Sequence, residues 1–416
     1  MSKQSVYPVS QEIWSKTLLT KEEYQAMYRY SVESPDEFWI EQAQRLKWIK
    51  PFSKVNDISF DKHDLHIRWY EDGVLNVSEN CIDRHLEKRG NETAIIWEKE
   101  KESIGNKNET RAITYNELSS EVNRLANGLK SLGIQKGDIV TLYLPTVPEA
   151  AIAMLACARI GAIHSIVVSS CSAKALASRI KDTDCRYIIT SDKGFYGGKY
   201  IPFKQNIDDA IALCPPEQIN NIIVLNHTRT NIQRRVGRDI DYHVLVSQQS
   251  DACQPEPMNA EDPLFILYAS NSSENSKGVL HTTGGYLVYA AMTHEYVFNY
   301  QLSDVYMYGA LCNGDTVVMP ERDEYLSETR WWHIETNGAA LPMLGIKPAL
   351  IDESGSELTG VASGNIMIKD SWPGQIRTIF GDHQDFIDTY FSNSEGDFFT
   401  KKSARRDENG YYWLTT

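Results

Sequence analysis

An α/β fold with parallel sheets flanked by helices is what this sequence predicts, and three observations predict it. Short apolar runs alternate with helical patterns from Asn76 to about Asp262, the order that pairs strands in parallel through crossover helices. The best of those helical patterns carries its own start and stop signals. After Leu341 the runs become short and strand-like, separated by turns such as Glu353-Ser354-Gly355 and Glu408-Asn409-Gly410. That pattern predicts a small antiparallel β unit at the end of the chain.

The signals can be taken in order. Residues 1–75 are rich in aromatic and charged side chains without a clean period, and are expected to form an irregular, partly helical extension. Thr114-Tyr-Asn-Glu117 reads as a capping box, a hydroxyl and a carboxylate satisfying the free N–H groups of a helix start. Leu118, Val122, Leu125, Leu129 and Leu132 follow at steps of 4, 3, 4 and 3, one face of a helix, and Gly133 suits its C-terminal cap. Asp138 to Leu144 reads as a strand, Pro148 opens a helix running to Ile160, Ile163 to Val168 is a strand, and Ser172 begins a further helix. Arg186–Thr190 and Ile222–Leu225 are short apolar strands. Leu264–Tyr268 is a strand leading into a polar loop and then a helix over Gly284–Tyr296. The expected organisation is an extension over 1–75, a first α/β subdomain over 76–262, a shortened second α/β subdomain over 263–340 and a small β subdomain over 341–416.

Composition narrows the function classes. The net charge is −14 over 416 residues, with a pI of about 5.3, which opposes a nucleic-acid partner because such a protein carries a basic stripe. The seven cysteines are scattered and never spaced C-x-x-C, the usage of free thiols in a reducing compartment. The first thirty residues hold no apolar h-region. Arg159 and His164 interrupt the most apolar stretch, Ala150–Val168, so no membrane span is expected. These features lead to the expectation of a cytoplasmic protein.

The segment richest in chemistry is Phe265-Ile-Leu-Tyr-Ala-Ser-Asn-Ser-Ser-Glu-Asn-Ser-Lys277-Gly278. A strand runs into a loop of hydroxyls, then a lysine and a glycine, then a helix. Backbone N–H groups, hydroxyls and one ammonium can wrap an anion there. Taken alone the signal is weak, and a serine-rich surface loop is then the better reading of it.

This loop resembles the phosphate-binding loop T-S-G-S-T-G-x-P-K-G of the adenylate-forming enzymes. Several further stretches are similar to the AMP-forming acetyl- and propionyl-CoA synthetase branch of that superfamily: His281-Thr-Thr-Gly-Gly-Tyr-Leu287, Trp69-Tyr-Glu-Asp-Gly-Val-Leu-Asn-Val-Ser-Glu-Asn-Cys-Ile-Asp-Arg-His-Leu86, Pro148-Glu-Ala-Ala-Ile-Ala-Met-Leu-Ala-Cys-Ala-Arg-Ile-Gly-Ala-Ile-His164, Ser371-Trp-Pro-Gly-Gln-Ile-Arg-Thr-Ile-Phe-Gly-Asp-His383 and Ala404-Arg-Arg-Asp-Glu-Asn-Gly-Tyr-Tyr-Trp413. They are collinear and cover nearly the whole chain. The resemblance implies the N-terminal domain of an adenylate-forming enzyme, in truncated form. It implies an acetate–CoA ligase reaction through acetyl-adenylate, with ATP, acetate and CoA as small-molecule partners and Mg²⁺ beside the ATP. By the same resemblance Ser270, Ser272, Ser273, Lys277 and Thr336 would contact ATP. Glu335 would hold the metal, a hard cation suited to carboxylate oxygen, and Trp332 would wall the acetate pocket. Lys199 would face CoA. Core packing for the tryptophan pair and an exposed loop carboxylate for Glu335 are the alternative readings.

The sequence departs from the family pattern at several of these places. Both internal glycines of the phosphate loop are replaced, by Asn271 and Glu274, and its threonine and proline by Ala269 and Ser276. Glu274 sets a carboxylate where polyphosphate would lie. Two unit charges about 4 Å apart interact by about 4 kcal/mol at an effective dielectric near 20. Lys402, in Thr400-Lys401-Lys402-Ser403, stands where the family has a ribose-binding aspartate, and a charged lysine only donates. In the stretch expected to face CoA, Gly194-Phe-Tyr-Gly-Gly-Lys199 keeps one basic residue, and Ser169-Ser-Cys-Ser172 is one residue shorter than the family's F-G-G-F-S. The motif D-x-G-W-x-T-G-H is missing after Val305, G-E-P is missing between Pro320 and Trp331, and a further cut follows Gly338. The family's C-terminal domain, with its lysine, would lie beyond Thr416. No catalytic residue is therefore assigned.

Three readings follow: an active acetate–CoA ligase, a catalytically impaired or inactive relative of one, and a non-catalytic nucleotide-binding or interaction paralogue. The last includes pairing with a full-length relative or with a separately encoded C-terminal domain. The deletions are expected to take strands from a parallel sheet and leave an unpaired edge.

Overall fold

The computed structural model describes residues 18–99, 110–196, 199–268, 277–297, 307–321, 339–391 and 397–415. Two helices, α1 (Lys21–Glu33) and α2 (Pro35–Ala43), open it. Thr20 and Glu23 form a capping box at the start of α1. The pair is fastened to the far end of the chain, for the Tyr24 and Tyr28 hydroxyls donate to the carbonyls of Pro342 and Ile346. Phe38, Trp39, Trp69 and Tyr70 are buried together, with Phe38 and Trp39 edge to face at 4.9 Å. Gly345 lies against this cluster at φ +76°, where a Cβ would come within 2.3 Å of the Trp39 ring. Only glycine fits there without strain.

The regular α/β part begins with β1 (Thr93–Glu98) and β2 (Thr110–Thr114), an antiparallel pair. The capping box forms as expected: Glu117 N–H donates to Thr114 Oγ1 at 3.2 Å and Thr114 N–H to Glu117 Oε2 at 2.8 Å, opening α3 (Tyr115–Ser131). Its apolar stripe, Leu118, Val122, Leu125 and Leu129, is fully buried. Then come β3 (Ile139–Tyr143), α4 (Pro148–Ile160), β4 (Ile163–Ile166), α5 (Ala173–Asp182) and β5 (Tyr187–Ser191). A hairpin of β6 (Gly194–Tyr196) and β7 (Lys199–Ile201) leads to α6 (Phe203–Ile211), β8 (Asn221–Leu225), β9 (Asp239–Asp241) and α7 (Tyr242–Ser247).

Beyond these lie β10 (Pro263–Tyr268), β11 (Gly278–Thr282), α8 (Thr283–Tyr296), α9 (Met307–Asn313) and β12 (Val317–Pro320). The closing elements are β13 (Ala339–Ala340), β14 (Pro348–Ile351), β15 (Glu357–Leu358), β16 (Ala362–Ile368), β17 (Thr378–Ile379), α10 (His383–Tyr390), β18 (Phe398–Arg406) and β19 (Tyr412–Thr415).

The main sheet has eight strands in the order β9-β8-β5-β3-β4-β10-β11-β17. It is parallel from β9 to β10 and antiparallel beyond. Strands from both sides of residue 262 therefore share one sheet. A second sheet, in the order β12-β1-β2, sets β12 parallel to β1 and β2 antiparallel to it. Among the described residues nothing pairs with the outer edge of β12. The third sheet, β13-β19-β18-β16-β14-β15, is antiparallel throughout, as expected for the end of the chain.

One local expectation is corrected. The loop after β10 does not pass from Lys277-Gly278 straight into a helix. Gly278–Thr282 first forms β11, antiparallel to β10 with Tyr268 opposite Gly278. The apolar Val279 and Leu280 pair across Leu267 and Ile266, which holds this stretch extended, so Lys277 lies a whole strand away from the start of α8.

Candidate functional site

Lys277 and Gly278 are the residues of the expected phosphate loop that the structure describes. Ser270, Ser272 and Ser273, the substituted Ala269, Asn271, Glu274 and Ser276, and also Trp332, Glu335 and Thr336 lie outside the described residues. Lys277 is half exposed, and its ammonium is ion-paired with the Asp385 carboxylate on α10. Asp385 is itself held in place: its N–H donates to the N-cap Asp382 at 2.9 Å, and the Thr389 hydroxyl donates to its other oxygen at 3.3 Å. The cation expected to meet phosphate is thus facing a fixed carboxylate.

The strand leading into the loop ends at Tyr268, whose hydroxyl donates to Asp182 at 2.6 Å while the Arg179 guanidinium lies 4.9 Å from its ring centre. Burial raises the phenol's pKa, and the carboxylate beside it adds to the rise. Beneath this strand runs a layer of rings across three neighbours: His164 on β4, Phe265 on β10 and His281 on β11. Centroid spacings are 5.6 and 4.7 Å. The His164 Nε2 meets the Tyr308 hydroxyl at 3.1 Å, and the Nδ1 atoms of both histidines are buried without a hydrogen-bond partner among the described residues. Burial pushes both imidazoles down to about 3, helped at His281 by the Arg377 charge.

Lys402 is exposed on β18, in a stretch where the strand bulges against β16. Lys401 beside it adopts φ +58°, a left-handed backbone that costs a non-glycine residue about 1 kcal/mol or more. Its ammonium sits 5.7 Å from the Tyr390 ring centre. Lys199 is exposed on β7, opposite Tyr196. The glutamate expected to take Mg²⁺ is not among the described residues, and those residues hold no cluster of three or more His, Cys, Asp or Glu. No step is therefore assigned to a metal.

Comparison with known proteins gives the chain its place. The family model described as AMP-binding enzyme matches residues 82–341, and the one described as acetyl-coenzyme A synthetase N-terminus matches residues 24–81. The acetyl-coenzyme A synthetase of Marinobacter nauticus is 41% identical over an alignment covering all of this chain and 79% of its own length. That of Novosphingobium aromaticivorans is 42% identical over 99% of this chain and 78% of its own length. The chain belongs to the acetyl-coenzyme A synthetase family. The fold agrees: acetoacetyl-CoA synthetase from Streptomyces lividans superposes with a TM-score of 0.80 over 97% of this chain and 76% of that one, at 19% identity.

Against those synthetases the chain is shortened internally. The alignment to the Marinobacter enzyme runs over 519 positions where this chain has 416 residues, so on the order of a hundred positions of the relative have no counterpart here. Asp385 was not legible from the sequence, since it meets Lys277 only through a contact 108 residues long. Removing its charge should restore the lysine's availability. In an Asp385→Asn variant, inorganic tripolyphosphate is expected to bind about threefold more tightly at low salt, the scale of an exposed ion pair. Titration calorimetry in parallel with Lys277→Ala checks this, and equal affinity of Asp385→Asn and the parent chain would refute it.

Proposed function

We propose that this protein derives from an acetate–CoA ligase and does not carry that reaction through. The ligase reaction joins acetate to the α-phosphate of ATP, releasing diphosphate, and then transfers the acetyl group to the CoA thiol with release of AMP. Its rate rests on positioning and on compensating phosphate charge. The pairing of Lys277 with Asp385 is the observation that supports impairment most directly, because the cation due to stabilise phosphate is already neutralised. The altered loop glycines, the lysine at the ribose-aspartate position and the internal shortening support it from independent places. ATP with Mg²⁺ is the ligand pair to be tried for any binding that is retained.

Acetate-dependent ATP–diphosphate exchange with Mg²⁺ is the deciding experiment. It reports adenylation alone and needs no CoA. Exchange is expected to be indistinguishable from that of Lys277→Ala, in a chain that melts cooperatively. Exchange clearly above that control overturns the proposal. The second reading is a non-catalytic nucleotide-binding or interaction paralogue. It predicts measurable ATP affinity without exchange.

A further inference from the structure

A crevice of about 840 Å³ opens over the carboxyl ends of β3, β5 and β8, between the main sheet and the end of the three-stranded sheet. Ligands of α/β proteins gather at such strand ends, where loops and helix starts converge. Cavities of this size suit small organic molecules.

Part of its lining is aromatic, among charged and polar residues. Trp97 is fixed by a 2.9 Å hydrogen bond from its indole N–H to the Thr146 carbonyl, and stands edge to face with His227 at 5.9 Å. Phe195 and Tyr200 form a second edge-to-face pair at 5.4 Å across the β6–β7 hairpin.

Most charges in the lining are already matched. Arg111 bonds to Glu149 at 2.9 Å and to Glu121 at 2.6 Å, and His227 meets Glu321 at 2.8 Å. Arg229 differs. It lines the crevice, is exposed, and makes no hydrogen bond or ion pair with a described residue. Its backbone is held at φ +56°, a conformation non-glycine residues adopt at a cost and which gathers at functional sites.

The geometry points to a binding site for a flat aromatic anion, its ring between the two aromatic pairs and its negative group on the Arg229 guanidinium. Arginine is suited to this task, because its planar fork meets carboxylate or phosphate with two parallel hydrogen bonds. Lys199, the residue expected to face CoA, lies on the opposite face of the same hairpin. Paired residues of an antiparallel hairpin share a face and successive residues alternate, so Phe195 and Tyr200 face the crevice while Lys199 and Tyr196 occupy the other side.

Titration calorimetry with 2-naphthoate, and with the neutral 2-naphthalenemethanol for comparison, tests the assignment. Arg229→Gly removes the guanidinium and also relieves the left-handed backbone, so the melting temperature should not fall. With that variant 2-naphthoate is expected to bind about tenfold more weakly, the effect of one charge-assisted hydrogen bond. The neutral alcohol should change by less than about twofold on the same principle, having no charge to lose. Phe195→Ala should weaken both probes. Absence of saturable 2-naphthoate binding overturns the assignment. So does equal binding by Arg229→Gly, or a loss caused by Lys199→Ala while Arg229→Gly still binds.

Discussion

Between pH 7 and pH 5 the protein is expected to lose about 2–4 kcal/mol of folding stability, about 2 of it through His164. The imidazole is fully buried on β4, with no partner for its Nδ1 among the described residues and the Phe265 ring tilted beside it at 5.6 Å. Its folded pKa is pushed down to about 3, against about 6.5 in an unfolded chain. The unfolded state therefore binds the proton first. The histidine's contribution is fully present above pH 6.5 and is lost progressively as pH falls toward the folded value. At pH 5 that amounts to about 2 kcal/mol for His164. His281, pushed down to about 3 as well, supplies the remainder. Urea midpoints at pH 7, 6 and 5 should fall steadily, and His164→Asn should flatten the slope by about one proton. A midpoint that stays constant from pH 7 to pH 5 would contradict the buried neutral histidine.

The second large effect is expected where the N-terminal segment joins α4. Arg159, its side chain almost wholly buried, makes two hydrogen bonds to Asp83 at 2.8 and 2.9 Å and one to the Cys253 carbonyl at 2.7 Å. The Asn76 amide sits at the same junction, donating to the carbonyls of Ala158 and Glu256. Asp83→Ala would strand a guanidinium in the core, at a cost of about 3 kcal/mol. Asp83 is partly exposed, which keeps the figure at the lower end of the range for a buried pair. Combining Asp83→Ala with Arg159→Met removes the stranded charge and should recover part of the loss. A double-mutant cycle should therefore give a coupling of about 2 kcal/mol. A single-variant cost below about 1 kcal/mol would show the pair to be dispensable.

The α/β alternation was legible because local chemistry and tertiary fold agree. Thr114 and Glu117 close their capping box whatever lies outside the helix, and Pro148 stands at the first turn of α4, where a missing N–H costs nothing. Gly133 is left-handed just past α3 for the same kind of local reason. The strand Gly278–Thr282 was not legible. A short apolar run between a polar loop and a helix has too few residues to show a period, and its extended form is imposed by β10 alongside it. The site was readable as residue types and not as partnerships. Lys277 stands out in the sequence, whereas nothing near it in the chain announces Asp385. Arg229 looks like one more basic residue in a polar loop until its neighbours across the strand ends are known.

The two tyrosine hydroxyls of α1 bond to carbonyls 318 residues further along the chain. A ribosome adding about 5–20 residues per second needs roughly 15–60 s to deliver those partners. Throughout that interval the nascent helices carry Phe38 and Trp39 without their final cover. The opening of this protein is made first and secured last.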